Sequence, residues 1–401
     1  MGNTAPLDVL KTATGWQAIE SHLPEDFEAL AKEHKVIEVQ YGEGVAKIRT
    51  ASALLRLVLL HAGVGLGMRQ TVALVAASGG PDISHVTLHK KERLSASYLA
   101  ALVGRLTSMS AETAPERWAG YELALVDGSS FCEPGAEGTS ARIHLQLRLS
   151  DLAILAVSAE DASVGETFKR FPWREGQLAL GDRGYANPPG VATVVRQRAD
   201  VLVRVNRAAL PMYMPDATGE RVNVMEFMRS LKGYMPREKR VVVRSREHGL
   251  DVVGRLIAVR LPESQAEKAR AWVRRELGSK ATATDLEAAH YVVLFATVPV
   301  ERMSVGMCLE LYRLRWQVEL AFKRWKSLCA FDHVPNHRDD TILTWLYAKL
   351  LLAVLMQRMA SGDRALFPPA TDAEESDALV RDALDNGQHL LARNHRGLVA
   401  A

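Results

Sequence analysis

The sequence predicts a mixed α/β fold in which a helical N-terminal region precedes a strand-rich core and further helices follow it. Two observations carry this prediction. The first is the order of apolar segments between residues 121 and 205, where three extended segments are followed by a strand, a helix and a strand. The second is helical periodicity on both sides of that core, because apolar residues there recur every three to four positions.

Composition excludes several classes of protein. With 401 residues, 48% of them hydrophobic, the chain can bury the cores of two or three domains. A net charge of only +3 means that any surface for nucleic acid must be a local patch. Cys132, Cys308 and Cys329 are scattered, which argues against a disulfide framework and for a reducing cytosol. No segment has the pattern of a signal peptide or an N-terminal membrane span, so we expect a soluble cytoplasmic protein.

Residues 1–119 form the first predicted domain, which is mostly helical. Residues 69–78 suit a helix, Gly-Gly-Pro-Asp at 79–82 interrupts it, and Ser84 suits the N-cap of a second helix. Because the second helix is basic, the segment has the helix–turn–helix shape of DNA readers. An ordinary helical hairpin with a solvated basic face fits the same pattern. The candidates for DNA contact are Lys90, Lys91 and Arg93.

Three antiparallel strands are predicted at residues 121–131, 142–149 and 152–157. The first contains the apolar run Leu-Ala-Leu-Val, typical of a buried strand, which stops at Asp127 and is followed by Gly-Ser-Ser. An aspartate after a strand is more often a turn residue or a cap. Asp127 taken alone therefore indicates no particular chemistry.

A second aspartate follows the next strand. Residues 177–180 form a short strand that runs into Gly-Asp-Arg-Gly-Tyr, with Asp182 in second place. Residues 188–198, which begin with two prolines, suit a helix, and residues 201–205 a fifth strand. Adjacent strands would bring Asp127 and Asp182 side by side, where their carboxylates repel unless a cation lies between them. Oxygen-only ligands favour a hard ion, Mg²⁺ or Mn²⁺.

A helix predicted over residues 312–326 carries two stripes. The apolar stripe consists of Leu311, Leu314, Val318, Phe322 and Trp325. The polar stripe, which covers a sector of roughly 60°, consists of Tyr312, Arg315, Glu319 and Lys326. A carboxylate flanked by cations and a phenol suits a metal site beside a phosphate backbone. A solvated helix face with an ion pair between Arg315 and Glu319 fits the same spacing.

An insertion, residues 208–299, separates the fifth strand from that helix. Its predicted elements are strands at 240–245, 250–260 and 291–297 and a helix at 264–277. The strands are rich in arginine, which fits a surface that follows DNA phosphates. Charged edge strands that prevent aggregation fit equally well. Residues 341–359 suit a final apolar helix, and residues 359–401 a polar C-terminal tail.

Three motifs together resemble the signatures of IS4-family bacterial transposases. They are Asp127-Gly-Ser-Ser, Gly-Asp182-Arg-Gly-Tyr, and the polar stripe from Tyr312 to Lys326. The stretch from Glu166 to Pro172 is similar to one subgroup's pattern, and the whole resemblance covers roughly residues 80–357. It implies a ribonuclease-H-like catalytic core made of residues 120–207 and 300–358, interrupted by the β-rich insertion.

The resemblance also implies an activity and its partners. A DDE triad of Asp127, Asp182 and Glu319 would hold two Mg²⁺ ions, for which Mn²⁺ can substitute. Residues placed beside the scissile phosphate would be Arg315, Lys326 and Tyr312. The partner is double-stranded DNA, both the terminal inverted repeats of an insertion element and its target, bound by a homodimer beside the bacterial nucleoid. Two other functions stay open: a nuclease of the same fold without strand transfer, and a non-enzymatic DNA-binding derivative of a transposase.

Overall fold

The computed structural model describes residues 10–37, 48–112, 118–131, 141–150, 153–161, 163, 165–216, 218–315 and 339–363. Within these ranges the protein is mixed α/β, with one large mixed sheet and helices packed against it. The predicted fold class is confirmed at this level. Glu319, Lys326 and the tail beyond residue 363 lie outside the described residues.

Short helices make up most of the N-terminal region. They are α1 (Ala13–Glu20), α2 (Phe27–Glu33), α3 (Ala51–Val58), α4 (Met68–Ala77) and the long α5 (His85–Glu112), with a π-helix (Leu59–Gly63) continuing α3. The predicted break between α4 and α5 is confirmed, since Gly79 has a positive φ of 81°. Ser84 is the expected N-cap, and its hydroxyl accepts a hydrogen bond from the Thr87 N–H at 3.1 Å.

Nine strands of the described part of the chain form a single sheet. They are β1 (Glu122–Phe131), β2 (Ala141–Arg148), β3 (Ile154–Asp161), β4 (Gln177–Gly181), β5 (Asp200–Arg204), β6 (Met212–Tyr213), β7 (Arg237–Ser245), β8 (Leu250–Arg260) and β9 (Tyr291–Ala296). Their order across the sheet is β3-β2-β1-β4-β5-β9-β8-β7-β6. The predicted antiparallel meander of β1, β2 and β3 is confirmed, and β4 and β5 run parallel to β1.

Strands of the insertion extend the same sheet. β9 pairs directly with β5, and Arg204 lies opposite Leu294. β8 then pairs with β9 and β7 with β8, both antiparallel. The helices after β4 are α6 (Pro188–Arg196), α7 (Val224–Arg229), α8 (Glu263–Leu277), α9 (Ala283–Ala288), α10 (Val305–Arg313) and α11 (Asp339–Asp363).

Helix α11 joins the N-terminal helices to the sheet. The Thr344 hydroxyl donates to the carbonyl of Glu92 in α5 at 2.7 Å, and the Tyr347 hydroxyl donates to the carbonyl of Ala159 in β3 at 3.2 Å. Residues 341–359 are long and apolar enough to cross a membrane, but 67% of that segment is buried inside the protein. Its composition is therefore that of a core helix.

Candidate active site

Asp127 and Asp182 lie at the same level on neighbouring strands. β1 and β4 are parallel, with Leu125 paired to Leu180, and each aspartate stands two residues beyond its member of this pair. Asp127 is half-buried, and Asp182 has only 8% of its surface exposed. The predicted side-by-side placement of the two aspartates follows from this register.

Backbone N–H groups orient both carboxylates. Asp182 Oδ1 accepts from the Gly184 N–H at 2.8 Å, and Asp127 Oδ1 accepts from the Gly128 N–H at 3.0 Å. The turn after β4 then leads directly into α6, which Asn187 caps by accepting from the Gly190 N–H at 2.9 Å. Because α6 starts at a fixed point, the turn that carries Asp182 is held at both ends.

A third carboxylate, Glu166, lies between the two aspartate motifs. A Cβ at Gly128 would lie 2.7 Å from Glu166 Oε1. A Cβ at Gly184 would overlap Glu166 Oε2 and lie 3.2 Å from Asp182 Oδ1. Burial raises the pKa of Glu166 to about 7, and the negative charge of Asp182 adds to the rise while Arg142 and Arg315 oppose it. Glu166 was not among the sequence-predicted site residues.

An aromatic cluster holds Glu166 in place. The segment after Glu166 forms a 3₁₀ turn whose Phe168 is fully buried, 5.3 Å from the Tyr185 ring and 5.6 Å from the Trp173 ring between centroids. Trp173 Nε1 donates to the Phe168 carbonyl at 2.8 Å. The signal in the sequence is a set of aromatic residues directly after an acid. These residues anchor the loop, although their spacing has neither helical nor strand periodicity.

The Tyr185 hydroxyl lies near this acidic centre and has no hydrogen-bond partner among the residues that the structure describes. Tyr185 is fully buried. Burial raises the pKa of its phenol well above the ordinary value, and the charges of Asp127, Glu166 and Asp182 add to that rise. A buried hydroxyl with no partner is uncommon in proteins and marks a position where a ligand or water can bind.

Cations lie near the carboxylates, at the ends of β4 and β5. Arg204 is 4% exposed, and burial together with the charge of Arg183 lowers its guanidinium pKa. Burial is also the main cause of the raised pKa of the Tyr312 phenol. The positive charges of Arg315 and Arg204 lower this pKa, and the negative charge of Asp182 raises it. Tyr312 and Arg315 are each 3% exposed. Both side chains are therefore enclosed near the carboxylates, and their contact with the DNA phosphate stays a prediction.

The helix that carries Tyr312 begins earlier than predicted. α10 starts after Ser304, whose hydroxyl accepts from the Met307 N–H at 3.3 Å, and it ends at Arg313. Tyr312 therefore lies in the last turn of one helix, so the prediction that a helix begins at Tyr312 is wrong. Arg255 in β8 fixes the approach to α10 by donating to the carbonyls of Val298 and Met303, at 3.0 and 2.8 Å.

The N-terminal candidates divide into two kinds. Lys91 is 8% exposed, and its Nζ donates to the Val36 carbonyl at 2.6 Å. This side chain links α5 to residues near α2, and the DNA contact predicted for Lys91 stays a prediction that its burial does not favour. Lys90 and Arg93 are exposed, and their role in DNA binding stays a prediction.

The donor set fits a hard metal ion in part. Asp127, Asp182 and Glu166 offer only oxygen atoms, which suit Mg²⁺ rather than zinc. Within the described ranges, no group of three or more His, Cys, Asp or Glu side chains is arranged to hold a metal ion. The third acid of the predicted triad, Glu319, lies outside those ranges.

Comparison with known proteins identifies the relatives of this chain. The family described as "Transposase DDE domain" matches residues 152–355, a span that includes Glu166, Asp182 and Glu319. The transposase for insertion sequence element IS421 of Escherichia coli is 28% identical over 370 residues, which cover 90% of this chain and 97% of the relative. InsL of insertion sequence element IS186A, from Escherichia coli strain K12, is 28% identical over 369 residues with the same coverage. The transposase for IS231F of Bacillus thuringiensis subsp. israelensis is 40% identical over 63 residues, 16% of this chain and 13% of the relative.

Proposed function

The chain belongs to the transposase DDE domain family and is an insertion-sequence transposase that cleaves DNA and transfers strands, and we propose that Asp127, Asp182 and Glu319 carry its chemistry. The observation that supports this assignment is the register of β1 and β4, which sets two carboxylates at one level of neighbouring parallel strands. The strand order around them agrees with a ribonuclease-H-like core, which we propose as the finer fold class.

DDE transposase domains use divalent metal ions, and for this chain we propose two Mg²⁺ ions, with Mn²⁺ able to substitute. When bound, such ions lower the pKa of water and stabilise the leaving oxygen of a phosphodiester. Asp127 and Asp182 would hold them from the sheet, and Glu319 from the segment after α10. The backbone N–H groups of Gly128 and Gly184 orient the two aspartates before DNA arrives.

Arginine side chains would stabilise the negative charge that develops on the scissile phosphate. Arg204 is buried near Asp182 and Arg315 is buried near Glu166, where a fixed positive charge acts more strongly than it does in water. We expect Arg315 to act on the phosphate, with Tyr312 packed beside it and Lys326 contacting the DNA backbone. Arginine suits this role because it stays charged when buried and offers a planar pair of donors.

The partner would be double-stranded DNA, first the terminal inverted repeats of the chain's own element and then a target. Lys90 and Arg93 on α5 are exposed and supply positive charge for that contact. A homodimer would hold the two element ends together, in the bacterial cytoplasm beside the nucleoid.

Asp182→Asn tests the assignment of the acids. Cleavage of a labelled duplex that carries the end of the element is measured in Mg²⁺ for the wild type, Asp182→Asn and Asp251→Asn. Asp251 is a matched control, an exposed acid at the opposite edge of the sheet. We expect Asp182→Asn to lose cleavage and Asp251→Asn to keep it. Equal cleavage by all three proteins would remove Asp182 from the chemistry.

A further inference from the structure

The most exposed large apolar side chains among the described residues are adjacent. Tyr234 is 60% exposed and Met235 is 76% exposed. Both lie in the loop between α7 and β7, residues 230–236, where Gly233 has a positive φ of 68° and makes the turn possible. Two apolar side chains held together in water are uncommon in a folded protein unless a partner covers them.

The loop is firmly held at its base although its tip projects. The guanidinium of Arg229, the last residue of α7, donates two hydrogen bonds of 2.7 Å to the carboxylate of Glu287. Leu231, two residues further on, is buried with 5% of its surface exposed. Arg229 and Leu231 therefore anchor the start of the loop. The tip is therefore a short, supported projection that carries an aromatic ring and a thioether.

Positive charge surrounds the tip. Lys232, Arg237 and Arg240 are exposed, and Lys239 is half-buried, so four cations lie within nine residues. Glu238 is the one acid in this stretch, and it pairs with Arg255 at 2.6 Å. An apolar tip in a field of cations complements nucleic acid, in which stacked bases lie inside a negatively charged backbone.

The sheet register places this loop at the same edge as the acidic centre. One row across the sheet runs through Arg204, Leu294, Ile257 and Glu238, each paired with the next. Asp182 stands at the level of Arg204, because Gly181 pairs with Val203. The loop joins β7 one residue beyond this row. Four strand spacings separate the strands of Asp182 and Glu238, about 19 Å along the edge.

We propose that the Tyr234–Met235 tip contacts the bases of the element-end DNA, inserting beside or stacking on base pairs about six positions from the scissile phosphate. For a duplex that runs along this edge of the sheet, the position follows from the separation of about 19 Å, since successive base pairs rise about 3.4 Å. An apolar wedge of this kind partly unstacks a base step, while the surrounding cations hold the adjacent phosphates. The proposal rests on the proposed function, which supplies the DNA.

Fluorescent base analogues test the tip directly. 2-Aminopurine is placed at successive positions of a duplex made from DNA that flanks the coding sequence, and binding is followed in EDTA so that cleavage does not interfere. The wild type should raise the fluorescence of an analogue about six positions from the cleavage site. The Tyr234→Ala/Met235→Ala double variant should lose that signal and about tenfold of its affinity. Tyr234→Phe, which keeps the ring, should behave as the wild type.

The control is Val300→Ala, which truncates an exposed apolar side chain beyond β9, at the opposite edge of the sheet. It should leave both readouts unchanged. Arg240→Ala should reduce the slope of log affinity against log salt concentration by the equivalent of about one phosphate contact. The double variant should keep the slope of the wild type.

A double variant that binds with wild-type affinity and wild-type 2-aminopurine signal would overturn the proposal. The proposal would also be overturned if the double variant bound DNA as the wild type does and lost only a concentration-dependent dimer. The tip would then serve self-association. Cleavage is measured separately in Mg²⁺. If the wild type binds with the expected signal but does not cleave, the proposed function fails and the tip contact stands.

Discussion

At the scale of single residues, the site depends on the small size of two glycines. Gly128 and Gly184 follow the two aspartates by one and two positions, and the Glu166 carboxylate occupies the space that their side chains would take. The sequence pattern drew attention to the stretch that begins at Glu166 but assigned this acid no role, because its position beside the aspartates depends on packing between Phe168, Trp173 and Tyr185. The two aspartates could be found, since each ends an apolar run.

Gly184→Ala tests this arrangement. The new Cβ would displace the end of the flexible Glu166 side chain, so the free energy of unfolding should change by less than about 1 kcal/mol. Cleavage should fall by about a hundredfold, because small displacements at a reacting centre have effects of that order. Gly165→Ala is the local control, since nothing lies within 4 Å of its added carbon. Full cleavage by Gly184→Ala would show that the position of Glu166 has no influence on the reaction.

At the scale of elements, local patterns predicted most strands of the core well and the pairing of distant strands poorly. Apolar runs predicted both ends of β1, β2, β4 and β5 to within one residue, and Ser84 marked the start of α5. Sequence periodicity carries no information on which distant strands pair. The pairing of β9 with β5, which makes the insertion part of the core sheet, therefore became visible only in the structure.

The junction of α5 with the π-helix contains a buried acid, which has a consequence for stability. Glu92 is fully buried, neither carboxylate oxygen accepts a hydrogen bond among the described residues, and His61 Nε2 lies 3.8 Å away. Burial raises the pKa of Glu92 to about 8. The folded state therefore holds a proton that the unfolded state releases near pH 4.5. Stability from this group is present below that pH and is lost as the pH rises to about 8.

Glu92→Gln should flatten this pH dependence. The free energy of unfolding, measured by urea denaturation between pH 5 and 8 (about the range in which Glu92 titrates), should decline less with pH in the variant. The difference should reach a few kcal/mol, at about 1.4 kcal/mol for each unit of pKa shift. Glu276→Gln is the control, an exposed acid on α8. Parallel curves for wild type and Glu92→Gln would contradict the account of this junction.

At the scale of the whole molecule, α11 joins the helical region to the sheet, and we expect the two to unfold together. Its residues pack in the same apolar core as α3, α5, β1 and β2, and its hydrogen bonds reach both α5 and β3. The sequence predicted this helix but assigned it to the catalytic core alone. Its contact with α5 could not be predicted, because it joins residues about 250 positions apart, as between Glu92 and Thr344.

Leu351→Ala should therefore weaken distant parts of the molecule together. Leu351 is fully buried, so the substitution should lower the free energy of unfolding by about 2–5 kcal/mol. Hydrogen exchange should accelerate by the same factor in α5 and in β2. Leu277→Ala, at an exposed position at the end of α8, should leave both rates unchanged. Faster exchange in α5 alone would mean that the two regions unfold independently.

The measurement that tests the central claim most directly compares wild type with Glu319→Ala on DNA that carries the element end. Binding is measured without metal, and cleavage and strand transfer are measured in Mg²⁺. The account predicts that the variant binds the end as the wild type does and forms neither cleaved nor joined product, since a DDE enzyme needs all three acids. Equal cleavage by the two proteins would contradict the triad of Asp127, Asp182 and Glu319.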